Sequence, residues 1–189
     1  MKVVRFLFLS LVCLNISCSK DRLCNCFYKS GKTERKEIVL EEFNEIHINN
    51  IFNVYISQDT TNKIIIEGGK NLISNIKANV DNKILEISDK NKCNFLRNYE
   101  TRNLYISVKP YNLKRIAIYG EVNLYSTDTI NSDEIEIVVF SGIAQTDLIL
   151  HNKVTRLTIH AATGSYTIRG ISSTAYDLFD KSIVNIRAS

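Results

Sequence analysis

Apolar residues recur at every second position through most of this chain. Ile46 and Ile48, Val54 and Ile56, Leu104, Ile106 and Val108, and Ile135, Ile137 and Val139 all alternate with polar neighbours, and Ile84, Leu85 and Ile87 make a further apolar run. A period of two sends one set of side chains to a core and the other to solvent, so the pattern predicts short strands from Glu37 onward. Asn49-Asn50, Gln58 to Asn62 and Glu67-Gly68-Gly69-Lys70 read as the turns between them. Asn71 to Val80 fits either a short helix, through Leu72, Ile73 and Ile76, or a bent strand, and the strand is preferred. Asp89 to Arg102 reads as a polar loop.

A longer period overlies the short one. Gly120, Gly142 and Gly164 stand 22 residues apart, and aligning on them pairs Ile135 with Leu157, Ile137 with Ile159, Val139 with Ala161, Ser141 with Thr163 and Ala144 with Tyr166. A unit this short cannot bury its apolar face alone and must lay it against the next, so the expected fold is all-β, a β-solenoid with short strands and Gly/Asn corners. Leu113, Ile116 and Ile118 run one residue out of phase with Ile135, Ile137 and Val139, which calls for a bulge before Gly120 and Gly142 can coincide. Tyr176, Leu178, Ile183 and Ile186 suggest a last turn of different length. A solenoid needs its final edge covered, so the run Ile183 to Ser189 implies either a partner on that edge or a truncated product.

The 189 residues, 44% hydrophobic and 23% charged, suit one folded domain and exclude disorder as the main state. Lys2 and Arg5 precede the apolar run Phe6 to Leu14, which is too short to span a bilayer, and Asn15-Ile16-Ser17-Cys18 follows. Residues 1–17 therefore read as an export signal and Cys18 as the acylated first residue of a lipoprotein, with cleavage by ordinary signal peptidase as the alternative. Losing Lys2 and Arg5 leaves +2 of the net +4, too little for a nucleic-acid surface. The basic stretch Lys29 to Lys36 reads as part of a solvated tether, residues 18–36, ahead of a domain over 37–189.

Cys24, Cys26 and Cys93 are the thiols left for the exported chain. In an oxidising envelope either Cys24 or Cys26 can close onto Cys93, and a loop of about seventy residues would contribute about 4 kcal/mol. The rival reading, three thiolate ligands to a metal, lacks a nearby histidine. His47, His151 and His160 are scattered singly and read as strand surface residues. Glu134 and Glu136 lie two apart on one strand, so their carboxyls share a face near the separation used by retaining glycosidases, but no second catalytic element accompanies them. Glu67-Gly68-Gly69-Lys70 is followed by Asn71 rather than Ser or Thr and is no phosphate loop. No enzyme, cofactor or metal site is expected.

Tyr55, Tyr105, Tyr119 and Tyr125 each sit between inward-pointing aliphatics, so each should face solvent. On a regular stack they would form an aromatic strip suited to stacking on sugar faces. Scattered surface tyrosines are the plainer reading.

Cys-Asn-Cys-Phe at 24 to 27, Phe43-Asn-Glu-Ile-His-Ile, Val54-Tyr-Ile-Ser-Gln, Glu-Gly-Gly-Lys-Asn-Leu at 67 to 72, Lys92-Cys93-Asn94 and the Gly-marked turns together resemble one known group. It is the putative auto-transporter adhesin family with a head GIN domain, found in surface lipoproteins of Bacteroidetes, and the similarity covers about residues 24 to 189. The resemblance implies a single-stranded right-handed β-helix and a non-enzymatic adhesion or ligand-binding module for glycan or protein. With the signal, it implies an outer-membrane lipoprotein held by its lipid anchor. The alternative is an envelope structural protein that self-associates through the edge of its solenoid.

Overall fold

A computed structural model describes residues 29–91, 102–178 and 183–188. The expected export signal, Cys18, Cys24, Cys26, Cys93 and most of the expected loop 89–102 lie outside the described residues. One compact unit, Ser30–Asn91 with Glu100–Ser189, carries the sheet.

Among the described residues the fold is all-β, with one helical turn. In chain order come β1 (Thr33–Val39), β2 (Glu45–Ile48), β3 (Phe52–Gln58), β4 (Lys63–Gly69), α1 (Lys70–Ile73), β5 (Ile76–Asp81), β6 (Ile84–Asp89), β7 (Asn103–Val108), β8 (Arg115–Ile118), β9 (Val122–Asn131), β10 (Glu134–Leu178) and β11 (Ile183–Ala188). They form a single sheet in the order β1-β4-β7-β3-β9-β10-β8-β2-β6-β5, with β11 added on β10.

Register turns the alternating pattern into two rows of parallel pairs. In the first, Leu85, Ile46, Ile116 and Ile137 stand side by side on β6, β2, β8 and β10, and Ile87, Ile48, Ile118 and Val139 stand beside them. In the second, Leu104, Val54, Leu124 and Thr146 align on β7, β3, β9 and β10. All of these side chains are buried, and each large aliphatic contributes roughly 1.5–3 kcal/mol by leaving water. β10 serves both rows because it turns a corner between Val139 and Ala144. Gly142 sits there at φ +95°, and a Cβ on it would fall 2.4 Å from the Gly120 carbonyl oxygen.

That corner also settles the phase difference. Ile116 pairs with Ile137 and Val122 with Ala144, so the offset between partners is one residue longer after the corner than before it. The extra residue is taken up at the corner, and the pairing of Arg115–Ile118 with Glu136–Val139 runs without a bulge. The alignment on the glycines slips at Val139 and Ala161, since Val139 is buried and Ala161 exposed while Ala162 turns inward.

Three further expectations need correcting. The segment 71–80 is not one strand: α1 buries Leu72 and Ile73, and β5 starts at Ile76. The helical alternative was right for its first half, because Leu72 and Ile73 reach the core from successive positions, which a strand's alternation forbids. Glu67-Gly68-Gly69 ends a strand rather than forming a turn, with Gly69 packed so tightly that a Cβ would lie 2.5 Å from the Ser30 carbonyl oxygen. The charged stretch before Glu37 is solvated, and β1 begins within it at Thr33, pairing antiparallel with β4. Its exposed charges suit an edge strand, where they discourage pairing with another chain.

Candidate functional site

The outward face of the second row is built from repeats of three residues. Asn53-Val54-Tyr55, Asn103-Leu104-Tyr105 and Asn123-Leu124-Tyr125 lie in register on β3, β7 and β9, each with its aliphatic inward and its Asn and Tyr outward. Alternation chooses the face and parallel register chooses the neighbour, so asparagine aligns with asparagine and tyrosine with tyrosine.

The asparagines form a directed chain. Asn123 Nδ2 donates to Asn53 Oδ1 at 2.9 Å, Asn53 Nδ2 to Asn103 Oδ1 at 3.3 Å, and Asn103 Nδ2 to Glu67 Oε1 at 3.0 Å. Arg35 on the edge strand closes it with an ion pair to the other Glu67 oxygen. The amide of Asn103 and then the Arg35 guanidinium hold the Glu67 carboxyl below the usual carboxylate range. Beside this chain the tyrosine rings stack, Tyr55 on Tyr105 at 5.1 Å and on Tyr125 at 5.4 Å between centroids. The Arg35 guanidinium lies 5.7 Å from the Tyr105 centroid, and burial, then the nearby Glu67 charge, raises the Tyr105 hydroxyl above its ordinary pKa. Ser57 and Ser107 hydroxyls continue the surface, 3.2 Å apart.

Stacking decides what this surface can offer. Ring faces turned to each other are unavailable to a sugar face, so what points outward is ring edges, hydroxyls and amides.

Tyr119 belongs elsewhere. It stacks on Phe140 at 4.6 Å, Phe140 stacks on His160 at 5.1 Å, and His47 meets Tyr119 edge-on at 5.9 Å. The structure thus brings together three of the four expected tyrosines and gives the fourth to a separate column that gathers two of the scattered histidines. His151 is exposed and stands outside both columns. The repeated Asn-x-Tyr triplet was the available signal for the asparagines. For Phe140 and His160 the signal was fainter, each ring following the one before it by about one repeat.

Glu134 and Glu136 do share the outward side of β10, and both are engaged. Glu134 pairs with Arg156, and Glu136 with Arg115 at 3.3 Å. Asp133 pairs with Lys153 at 2.8 Å and Asp147 with Arg169 at 2.6 Å. Each of the two glutamates is thus paired with its own guanidinium. Among the described residues there is no group of three His, Cys, Asp or Glu side chains that could hold a metal ion, and no helix is long and apolar enough to cross a membrane.

Residues 42–178, most of the chain, match the family described as "Putative auto-transporter adhesin, head GIN domain". The chain belongs to this family. Among solved structures, a putative adhesin from Parabacteroides distasonis is similar at 16% identity and a TM-score of 0.61 over 82% of this chain and 67% of that one. A putative adhesin from Bacteroides fragilis is similar at 18% identity and 0.53 over 82% and 96%, and a putative lipid binding protein from Parabacteroides distasonis at 18% and 0.50 over 82% and 79%. At these identities the likeness is one of fold. No curated protein matches this head GIN chain.

Proposed function

We propose that this head GIN protein is an outer-membrane lipoprotein, acylated at Cys18, that acts as a non-enzymatic adhesion module for glycan or protein. Its parallel rows are read as successive coils of a right-handed β-helix, in keeping with the parallel pairing of each segment of β10 with the strand one repeat before it. A disulfide from Cys24 or Cys26 to Cys93 is part of the same proposal. The observation that carries the binding role is the aligned Asn and Tyr face of β7, β3 and β9. It is a flat, uncharged comb of amides and hydroxyls on a rigid sheet, with Tyr119 presenting a second strip. Solved structures of this fold that carry the name putative adhesin support the same reading.

The contact differs from ring stacking in one checkable respect. Because Tyr55 is stacked between Tyr105 and Tyr125, and each of those turns one face to it, a ligand meets hydroxyls, each such hydrogen bond contributing about 0.5–1.5 kcal/mol. A glycan-array and mucin screen of the full chain in detergent, run beside light scattering, tests this. Saturable binding by a monomer, reduced at least about fivefold when Tyr55, Tyr105 and Tyr125 all become Phe, is expected. Absence of binding from a self-associating sample would overturn the proposal in favour of edge pairing. Full binding by the triple Phe variant would overturn the hydroxyl contact.

A further inference from the structure

Tyr111 stands apart from the stacked tyrosines. It occupies the third position of the turn Lys109-Pro110-Tyr111-Asn112, closed by Asn112 N donating to the Lys109 carbonyl oxygen at 3.2 Å. With Pro second and φ +64° at Tyr111, this is a type II turn, whose third position suits Gly or Asn. A residue with a Cβ is conformationally penalised there, yet the side chain is 61% exposed and is not retained for packing a core. Among the described residues its ring makes no ring or cation contact.

Tyr111 lines a groove of ≈ 470 Å³, with Glu45, Lys114, Arg115, Asp133, Glu134 and Glu136 around it, a size that suits a small ligand. The groove sits where β2, β8 and β10 begin, since Glu45, Arg115 and Glu136 are register partners. Its charges balance. Arg115, Arg156 and Lys153 pair with Glu136, Glu134 and Asp133, Glu45 has His47 Nε2 at 3.3 Å, and Lys114 adds its charge near Asp133, so four acids are met by four bases and no excess field selects an anion or a cation. What remains is a dense set of hydrogen-bond donors and acceptors beside an exposed tyrosine. Hydroxyl-rich, uncharged molecules with one apolar face match that set.

We propose that this groove is a binding site for a neutral pyranose unit, with the Tyr111 ring against the C–H face of the sugar and Glu45 and Lys114 hydrogen-bonding its hydroxyls. The site is separate from the Asn and Tyr rows, so its failure would leave the adhesion reading standing, and the reverse.

Titration calorimetry on the full chain in a sugar-free detergent, with galactose, mannose and N-acetylglucosamine oligosaccharides as probes and sialyllactose as the charged control, tests it. Wild type is expected to bind at least one neutral probe, and Tyr111→Phe to keep that affinity within about threefold, because the ring is retained. Tyr111→Gly is expected to weaken binding about tenfold while raising Tm, since glycine relieves the turn as it removes the platform. The proposal is overturned if no neutral probe binds, if only sialyllactose binds, if Tyr111→Gly binds like wild type, or if it lowers Tm.

Discussion

The two rows of the sheet share one kind of core and differ in what they show to solvent. Behind β7, β3 and β9 the outward positions are neutral, Asn over Asn and Tyr over Tyr. Behind β2, β8 and β10 the first outward column is charged, Glu45 beside Arg115 beside Glu136, and the next one sets His47 beside Ala117 and Val138. Identical neutral groups can neighbour one another at the inter-strand spacing because amides donate and accept and rings stack, whereas identical charges would repel, so charged columns must alternate in sign. The same constraint produces Asp147 with Arg169 and Glu134 with Arg156, each pair one repeat apart along the chain. In this protein the parallel register does what the i,i+4 relation does in a helix.

If the cores are equivalent, Ile116→Ala in the first row and Leu124→Ala in the second should cost about the same, on the order of 3 kcal/mol each, read as matching losses of the urea midpoint. A large inequality would mean that one row is held by its outer face instead. Gly142→Val, at the corner that joins the rows, combines a positive φ with the 2.4 Å approach of the Gly120 carbonyl. It should cost about 2–3 kcal/mol. Next comes Asn53→Ala, which removes the middle of the amide chain and strands one acceptor on Asn103 and one donor on Asn123. About 1–2 kcal/mol is expected by chemical denaturation.

Acid separates the rows more finely. The Glu67 carboxyl titrates below its ordinary value near 4.5, so folding is favoured wherever the unfolded chain would already be ionised. That stability is complete above about pH 4.5 and fades as pH falls through the lower folded value. Glu67→Gln should flatten this part of the Tm against pH profile. The smallest effect belongs to the exposed Asp147–Arg169 pair. Arg169→Met should cost about 0.5 kcal/mol in dilute buffer and less in molar salt.

Much of this was legible before any coordinates. Alternation placed Ile46, Ile48, Val54, Ile56, Leu104 and Ile106 in the core, where all are fully buried, and the outward direction of Tyr55, Tyr105 and Tyr125 followed from the same rule. The helical turn at Lys70–Ile73 was missed because so short an element gives a period no room to declare itself. Pairing Val139 with Ala161 failed because a constant offset ignores how many residues each corner absorbs.

Which way a side chain points is local, decided by the pleat of its own strand, and the chain states it residue by residue. Which side chain lies next to it is not. Tyr119 stacks on Phe140 instead of joining Tyr55, and His47 and His160 come to share a column, because lateral neighbours depend on register accumulated over whole turns. Only the assembled sheet shows that the rings which should have met a sugar face to face already cover one another, while Tyr111, just after the one proline, stands exposed.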